Sequence, residues 1–264
     1  MNAKACLAFL LLLFFVSACA NHVRKDAVFE FPDGVSTAVS LLATFNQRNK
    51  SLHSVKGIGK IKLWGEKGAQ VSRLAWLGTT DGRIRVEVLG LSGQPVAKFI
   101  YDGECFFFLS QIDKQYYQNT CSDPDLDRLT GIDIKVSEMV HFLSGGVPIY
   151  DHDIASLQHL GAGEGYVLIL KKRWLWVVEK IYLDESLSVV NKVEAYNWRG
   201  MLYCAVLAQT RNVNNHAIPF KIVISTDSKE GFSIATDRCW ADITVLPSMF
   251  SIDPIQSFSG GAAP

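Results

Sequence analysis

The sequence carries no excess of charge of either sign and no basic block of any length. Its 264 residues include 26 lysines and arginines and 26 aspartates and glutamates, so the formal net charge is zero. Its one basic cluster, Lys171-Lys172-Arg173, is too small for the electrostatic footprint of a nucleic-acid-binding protein. No internal repeat, low-complexity tract or charge block divides the chain. These absences exclude nucleic acid as a partner and favour one large domain.

Recognisable catalytic and cofactor motifs are also missing. No G-x-S-x-G nucleophile elbow occurs. The glycine-rich stretch LGAGEGY precedes a strand pattern, whereas a dinucleotide-binding fingerprint follows a strand and opens a helix. We therefore predict no catalytic residue, no cofactor and no metal, and a binding or scaffolding role instead of an enzyme activity.

Two acidic stretches are candidates for a metal site. In DPDLDRLTG, Asp123, Asp125 and Asp127 occupy the first three ligand positions of a calcium loop, but Arg128 stands where glycine is needed and no glutamate follows at the twelfth position. The second stretch, YDHDIASLQHL, could gather ligands only by folding back on itself; its candidates are Asp151, His152, Asp153 and His159. We interpret the two stretches as a solvated turn and a polar loop.

The first residues have the layout of a secretion signal. One positive charge, at Lys4, precedes an apolar run from Cys6 to Val16, which at about eleven residues is shorter than the ~20 needed to cross a bilayer core. Two small residues then lead directly into Cys19, as in the lipobox of bacterial lipoproteins. This resemblance implies cleavage before Cys19, a diacylglycerol on its thiol and a further acyl chain, such as palmitate, on its amine. An ordinary signal peptide with a chance cysteine is the alternative.

The residues after Cys19 bear on the destination. Three acyl chains exceed the two signals that stable membrane anchoring requires. In the lipoproteins that this segment resembles, an aspartate after the acylated cysteine favours the inner membrane, whereas Ala20 and Asn21 stand here. The resemblance thus implies a lipid-anchored protein of the outer membrane that faces the periplasm.

Four further cysteines fit an oxidising compartment, and four cysteines allow three pairings. The segment GECFFFLSQIDKQYYQNTC reads as two strands, and counting outward from a turn at Asp113 places Cys105 opposite Cys121, within reach of a disulfide. Cys204 and Cys239 are then left to pair with each other. A zinc site is the rival interpretation, although neither pair has the close C-x-x-C spacing of a structural zinc site.

Two stretches have the apolar spacing of helices. The first, VSTAVSLLATFNQRN, has Asp33 or Ser36 as a possible cap, and its apolar residues at helical spacing are Val35, Ala38, Val39, Leu42 and Phe45. The second, KVSEMVHFLSGGVP, ends at Gly145-Gly146 and has the same spacing at Val136, Met139, Val140 and Leu143. We expect an amphipathic helix in each.

Elsewhere the apolar residues recur with period two. In RIRVEVLG the aliphatic Ile84, Val86 and Val88 alternate with charged residues, and in RLAWLG the side chains of Leu74 and Trp76 share a face. Further strands are expected in YVLILKK, WLWVVEKIYLD, SVVNKVEAYNW, MLYCAVLAQTRNV, IPFKIVIST and CWADITV. The order is helix, about five strands, helix and about six strands. A single antiparallel sheet of about ten or eleven strands should curl.

Taken together, these elements resemble the LolA and LolB family of periplasmic lipoprotein carriers and receptors. The resemblance rests on the lipobox, the two helices, RIRVEVLGLSGQPV, FIYDGECFFFL and HAIPFKIVIST, and it spans about residues 35–252. The anchor makes the chain similar to LolB, the outer-membrane receptor, rather than to the soluble carrier. We expect residues 1–18 to be a lipoprotein signal peptide, 19–34 a lipid anchor and tether, 35–256 a LolB-like half-barrel domain and 257–264 a flexible tail.

The family implies a mainly β fold with a few helices (α+β), in which one curved antiparallel sheet forms a half-barrel and helices cover its concave face. Between them lies a cavity for acyl chains. On this resemblance the cavity residues are Leu74, Trp76, Ile84, Val86, Val88, Phe106, Phe108, Met139, Phe142 and Leu143. The alternative is that these side chains pack together as an ordinary core. Leu91, on a short connection in LGLSGQP, occupies the place of the family's membrane-insertion loop.

Two functions follow from this interpretation. The first is an outer-membrane lipoprotein that binds acyl chains and traffics lipoproteins or lipid, with a soluble LolA-like carrier as its partner. The second is a non-transporting structural or assembly subunit of an envelope complex that uses the same fold. Lipid that purifies with the protein would favour the first, and an empty, tightly packed core the second.

Overall fold

The computed structural model describes residues 29–30, 34–66, 68–112, 114–174 and 176–251. The expected signal peptide, Cys19, the helix cap Asp33 and the expected tail lie outside the described residues. Within those ranges, no helix is both long enough and apolar enough to cross a membrane.

One antiparallel sheet dominates the fold. In the described residues it has fourteen strands, of which the first is only two residues long. The strands are β1 (Phe29–Glu30), β2 (Ser54–Gly65), β3 (Gly68–Thr79), β4 (Ile84–Leu89), β5 (Pro95–Tyr101), β6 (Cys105–Ser110), β7 (Gln115–Thr120), β8 (Ile154–Gly161), β9 (Gly165–Lys171), β10 (Val177–Leu183), β11 (Val190–Asn197), β12 (Gly200–Val213), β13 (His216–Ser225) and β14 (Gly231–Ala241). The mainly β prediction is confirmed.

The sheet is open. Its strand order is β1-β8-β9-β10-β11-β12-β13-β14-β2-β3-β4-β5-β6-β7, so β1 and β7 are its two edges. Apart from the step from β7 to β8, the strands from β2 to β14 follow one another in meanders, and β14 pairs with β2 to join the two halves. Because neighbours are antiparallel, every second hairpin turn lies at the same end of the strands.

The predicted number of strands was too low. Strand β8 lies in the stretch that we interpreted as a polar loop. The sequence IASLQHLG does not indicate a strand because polar and apolar residues are mixed on both faces. Strand β14 begins at Gly231 and ends at Ala241, so the strand predicted in CWADITV is wrong in its bounds. Asp242 ends it with a φ of 54°, and its carboxylate accepts a hydrogen bond from the His53 backbone N–H at 2.9 Å.

Both predicted helices are present. They are α1 (Gly34–Ser51) and α3 (Val136–Leu143), and the described residues add the short α2 (Asp127–Thr130) and a 3-10 turn at Pro247–Phe250. Ser36 lies inside α1 and does not cap it. The buried face of α1 is formed by Ala38, Leu41, Leu42 and Phe45, whereas Val35 and Val39 are exposed.

The start and the end of α3 are fixed by local chemistry. The Glu138 carboxylate accepts a hydrogen bond from the Lys135 backbone N–H at 2.8 Å, which satisfies one of the free donors at the helix start. Gly145 ends the run with a φ of 76°, and a Cβ there would lie 2.0 Å from the Ala217 carbonyl oxygen. Only glycine tolerates both the left-handed backbone and this close approach of β13.

Helices α1 and α3 pack on the sheet at different places. Helix α1 contacts β8, and α3 contacts β3 and β13 near the middle of the strand order. The alternation predicted for β4 is confirmed: Ile84 belongs to the main core and the half-buried Val86 and Val88 pack against it, whereas Arg85 and Glu87 form an ion pair at 2.6 Å on the other face. A small second core of Leu77, Ile100 and Phe250 covers part of that other face.

Candidate functional site

An apolar cavity of about 320 Å³ lies between the sheet and helices α2 and α3. Strands β2 to β6 and β14 form its walls on the sheet side, and residues of α2 and α3 close it from the other side. Its main lining side chains are Ile61, Leu63, Leu74, Trp76, Ile84, Val86, Val88, Phe99, Phe108, Leu129, Met139, Leu143, Phe232 and Ile234. The apolar side chains that alternate along β3 and β4 thus form a wall of the cavity, and this wall has little polar surface.

Eight of the ten predicted cavity residues line it, but Phe106 and Phe142 do not. The Phe106 ring is held between Phe99, at 4.8 Å between ring centroids, and Tyr117, at 5.8 Å. Phe142 is fully buried and meets the Tyr203 ring edge-on at 6.1 Å. On α3, Met139 and Leu143 lie one turn apart on the cavity face, whereas Phe142 points about a quarter-turn away from them.

The cavity is open at one end. Along β4, Ile84 is buried, whereas Val86 and Val88 are half-buried as the strand approaches its turn with β5. Along β3, Trp76 is buried and Gln70, near the turn with β2, is exposed. Both gradients run toward the same end of the strands. We call this end the cavity edge; it comprises the turns β2–β3, β4–β5, β6–β7, β9–β10, β11–β12 and β13–β14.

The closed end of the cavity is built around Trp76. Its indole ring lies against Gly57, its partner across β2 and β3, and a Cβ at Gly57 would lie 2.1 Å from the ring. The indole N–H is buried and has no hydrogen-bond acceptor among the described residues. A bound ligand with a polar atom at this depth could accept a hydrogen bond from it.

Comparison with other proteins gives a fold and no sequence relative. Searches with the sequence matched no protein-family model and no curated protein. Among solved structures, a DUF1329 family protein from Desulfovibrio piger matches with a TM-score of 0.56 at 8% identity, over 83% of this chain and 98% of that one. A LolA superfamily protein from Nitrosomonas europaea matches with a TM-score of 0.53 at 12% identity, over 81% and 97%. This chain has a LolA-like fold.

A third structure agrees. A putative outer membrane lipoprotein-sorting protein domain from Vibrio parahaemolyticus matches with a TM-score of 0.51 at 10% identity, over 82% of this chain and 97% of that one. Identities this low establish a shared fold alone. The structural comparisons confirm the LolA and LolB resemblance in this sense.

A buried acidic network lies beside the cavity in the LolA-like fold, and the sequence interpretation missed it. The Tyr150 hydroxyl donates to the Glu138 carboxylate of α3, and the Tyr150 backbone N–H donates to Glu179 of β10 at 3.0 Å. The Tyr203 hydroxyl faces the same group without good hydrogen-bond geometry. The sequence feature that could have predicted this network is a single glutamate inside each of two apolar runs, VSEMVHFL and VVEKIYL.

Burial dominates the electrostatics of this network. It raises the pKa of Glu138, against the lowering effect of the hydrogen bond from Tyr150. Glu179 is fully buried, and burial raises its pKa well above the usual value, with a further contribution from the nearby Glu138. Through Tyr150, the two carboxyls join α3 to β10.

The two acidic stretches are used in local structure. Asp123 accepts hydrogen bonds from the backbone N–H and hydroxyl of Ser137 at 2.9 and 2.7 Å, at the start of α3. Burial and a hydrogen bond with Asp133 raise the pKa of Asp125 to about 7, and the Asp125 carboxylate accepts a hydrogen bond from the Asp127 backbone N–H at 2.7 Å.

In the second stretch, Asp151 forms an ion pair with Lys172, and Asp153 accepts a hydrogen bond from the Arg173 backbone N–H at 2.7 Å. His152 contacts the Tyr150 carbonyl at 2.8 Å, and the His159 ring packs edge-on against Tyr166. Over the described ranges, no three His, Cys, Asp or Glu side chains are grouped to hold a metal ion.

The predicted disulfides differ from the structure, in which Cys105, Cys121, Cys204 and Cys239 are free. Cys105 lies opposite Thr120, one residue from the predicted register, with 3.6 Å between the sulfur and the Thr120 hydroxyl oxygen.

The pairing of Cys204 with Cys239 is wrong. Cys204 lies opposite Ser225, which lies opposite Gly231, and Cys239 is eight residues farther along β14. That offset is about 26 Å along the strand, far beyond the ~7 Å between Cα atoms that a disulfide allows.

Leu91 is fully exposed, at 105% of its reference area, in the turn between β4 and β5. This connection is short and ordered by two backbone hydrogen bonds, from Gly90 to Gln94 at 2.8 Å and from Gly93 to Gly90 at 3.0 Å. Because the turn belongs to the cavity edge, the apolar side chain of Leu91 projects from the end at which the cavity opens.

Proposed function

We propose that this protein is an outer-membrane-anchored lipoprotein that binds acyl chains in its cavity, in the trafficking of lipoproteins or lipid to the outer membrane. The apolar cavity of about 320 Å³ carries the proposal. Ligand sites in proteins range from about 300 to 1,000 Å³, so this cavity is at the small end of the range. An apolar lining with one open end suits a flexible hydrocarbon chain.

In this proposal the sheet is a half-barrel, and α2 and α3 cover its concave face. An acyl chain enters from the cavity edge and extends past Val88 and Val86 toward Trp76. Met139 and Leu143 of α3 then cover it. The remaining predicted aromatic residues, Phe106 and Phe142, support the wall and the helix from behind. The sheet and its cover supply binding alone, and we propose no enzyme activity.

The anchor and the partner complete the proposal. Acylation of Cys19 would hold the protein on the periplasmic face of the outer membrane, and a soluble LolA-like carrier would deliver the cargo. Leu91 would insert into the membrane at the cavity edge and assist release. The outer membrane lipoprotein-sorting description of the structurally similar Vibrio protein supports this envelope setting.

The binding proposal is tested on the purified full chain. Native mass spectrometry and lipid extraction should recover lipid that leaves on denaturation, and a fluorescent fatty acid should bind with about one probe per chain at saturation. A protein that purifies without lipid and never binds the probe would instead support the non-transporting subunit, in which the sheet serves protein contacts.

The anchor is tested separately. Cys19→Ser should abolish labelling by a palmitate analogue and move the protein from the membrane fraction to the soluble periplasmic fraction. A variant that stays membrane-bound and labelled would contradict acylation at Cys19, whatever the cavity binds.

A further inference from the structure

Three exposed tryptophans lie in neighbouring turns of the sheet. Trp174 and Trp176 belong to the turn between β9 and β10, and Trp198 to the turn between β11 and β12; their exposed fractions are 82%, 47% and 77%. Indole rings usually bury most of their surface, so three exposed ones in adjacent turns are unusual. Exposed apolar surface that is contiguous is a common feature of interaction sites.

The topology brings these turns together. The backbone N–H of Lys172 donates to the Trp176 carbonyl at 3.0 Å and closes the first turn, while Asn197 pairs with Gly200 around the second. Strands β10 and β11 are hydrogen-bonded neighbours, about 4.8 Å apart, and both turns lie at the same end of them. The three indoles therefore form one patch on the cavity edge.

Cationic side chains flank the indoles. The guanidinium of Arg199 lies 4.5 Å from the centre of the Trp198 ring. Arg173 precedes Trp174 and is exposed. Of the carboxylates nearby, Asp151 is paired with Lys172 and Asp153 with the Arg173 backbone N–H. In the part of the chain that the structure describes, neither arginine side chain has a carboxylate partner in an ion pair.

The opposite ends of the strands have a different character. Their turns are rich in carboxylates and, among the described residues, carry no exposed aromatic side chain, although Trp240 near the end of β14 is 40% exposed; the carboxylates are Asp81, Asp102, Glu104, Glu164, Asp184 and Glu185. At the cavity edge the described turns carry Glu66, Asp227 and Glu230, and Asp151 and Asp153 precede β8 at the same edge, where Lys172 pairs with Asp151 and the Arg173 backbone N–H donates to Asp153. The exposed Leu91 and Ile112 project from the far half of the same edge.

We propose that Trp174, Trp176 and Trp198, with Arg173 and Arg199, form a docking surface for an anionic phospholipid bilayer. Tryptophan is favoured at the headgroup level because its ring is apolar and its N–H is polar, and arginines beside it attract anionic headgroups. The carboxylate-rich opposite ends are repelled by such a surface, so the domain docks in one orientation. If the cavity binds acyl chains as proposed above, this orientation points its mouth at the membrane.

The test uses the full chain reconstituted into vesicles of phosphatidylethanolamine and phosphatidylglycerol, with brominated acyl chains as a quencher of tryptophan emission. Brominated lipid should quench the wild type, and the double variant Trp174→Ala/Trp198→Ala should lose at least about half of that quenching, since interfacial tryptophans lie within reach of the chains. Quenching should also fall in pure phosphatidylcholine and at high salt.

The matched control is Trp240→Ala, because Trp240 is 40% exposed and lies near the opposite end of β14. This control should keep the wild-type quenching. Quenching that the double variant retains in full would overturn the proposal. A second result would also overturn it: brominated lipid does not quench Trp174, Trp176 and Trp198, but a protein of the envelope shields them from aqueous iodide. That result would assign the surface to a protein partner.

A fluorescent fatty acid separates this proposal from the proposed function. The double variant should bind the probe as the wild type does, because Trp174, Trp176 and Trp198 are not part of the cavity wall. If the wild type binds no probe but brominated lipid quenches Trp174, Trp176 and Trp198, the acyl-binding function is contradicted and the membrane surface remains. If the wild type binds the probe but brominated lipid does not quench its tryptophans, the membrane surface is contradicted and the acyl-binding function remains.

Discussion

One sheet presents the same alternating apolar face to two different covers. Over β3 and β4 the face is left partly open, with Val86 and Val88 half-buried in a cavity wall. Over β10 and β11 it is filled, with Ile181 and Val193 fully buried. The strands are alike in pattern, so the difference arises from what covers them.

The covering elements differ in length. Helix α1 has 18 residues and packs beside β8, where Ala38, Leu42 and Phe45 fill the space above the sheet. Helices α2 and α3 have only 4 and 8 residues and close the other region incompletely. Helix α3 also completes the filled region with one of its faces, where Phe142 meets Tyr203 and Glu138 accepts from Tyr150. The cavity lies toward α2 and the Met139 face of α3.

The filled region also holds the buried carboxyls. Glu138 and Glu179 have raised pKa values because water is excluded from them. No carboxyl group lies in the cavity wall among the described residues, where the surface is mainly apolar and the polar side chains include Lys98 and Gln70. The two regions should therefore respond in different ways to the same chemical change.

The largest expected effect is that of a buried charge. Val193→Asp places a carboxylate in the filled region and should cost several kcal/mol, enough to unfold a domain whose stability is ~5–15 kcal/mol. Val86→Asp places it in a wall that is open to water, so the domain should stay folded and melt cooperatively while losing uptake of a fluorescent fatty acid. Circular dichroism on heating and the binding titration measure the two effects.

Either variant can contradict the difference between the open face over β3 and β4 and the filled face over β10 and β11. Unfolding of Val86→Asp would show that Val86 is ordinary core and that the cavity is filled by protein. A folded Val193→Asp that still binds the probe would show that β11 is as accessible to water as β4.

The next effect separates two phenylalanines that the sequence placed in the same cavity. Phe142→Ala removes a fully buried ring and should cost about 3–5 kcal/mol, because a cavity is left in packed core. Phe108→Ala enlarges a cavity that already exists and should cost less than half as much. Urea unfolding of both variants gives the difference, and equal costs would mean that Phe108 packs as tightly as Phe142.

Much of the fold could be predicted from local patterns. The period-two alternation in β3 and β4 placed Leu74, Trp76, Ile84, Val86 and Val88 on one face, and helical spacing located α1 and α3. Strand β8 was missed because IASLQHLG has no clean alternation, and its pairing with β9 decides its conformation.

The parts that failed depend on tertiary structure. The spacing of Phe142 on α3 could not show which neighbour it meets, and the pairing of Cys204 with Cys239 was chosen by elimination without knowing the register of β12, β13 and β14. Helix α1 was predicted with Val35 and Val39 on its buried face, but the direction of that face is set by the contact with β8, which a sequence pattern does not reveal.

A smaller effect sharpens the boundary of the cavity. Gly57→Ala puts a methyl group into the Trp76 ring and should cost about 1–3 kcal/mol through overpacking, with weaker probe binding because the ring must shift. Gly65→Ala is the control on the same strand, since its Cβ would meet only Glu230 at 3.5 Å. The urea midpoint should move for Gly57→Ala alone; a probe affinity that does not change would show that Trp76 is not part of the binding wall.

The last effect depends on pH and concerns the filled region. Because burial raises the folded-state pKa of Glu179, the folded protein binds a proton that the unfolded chain has already lost above its usual pKa near 4.5. The contribution of Glu179 to stability is therefore fully present at low pH and is lost as the pH rises through the folded-state pKa, by at most about 1.4 kcal/mol per pH unit.

Glu179→Gln isolates this contribution. Glutamine keeps an oxygen for the Tyr150 backbone N–H but cannot ionise, so the variant should match the wild type near pH 5 and become the more stable of the two toward pH 8. Urea unfolding of both proteins between these pH values gives the difference, in which the contribution of Asp125 largely cancels and that of Glu138 changes only through its interaction with Glu179. A difference that stays constant with pH would mean that water reaches Glu179, and the filled region would then be no drier than the cavity.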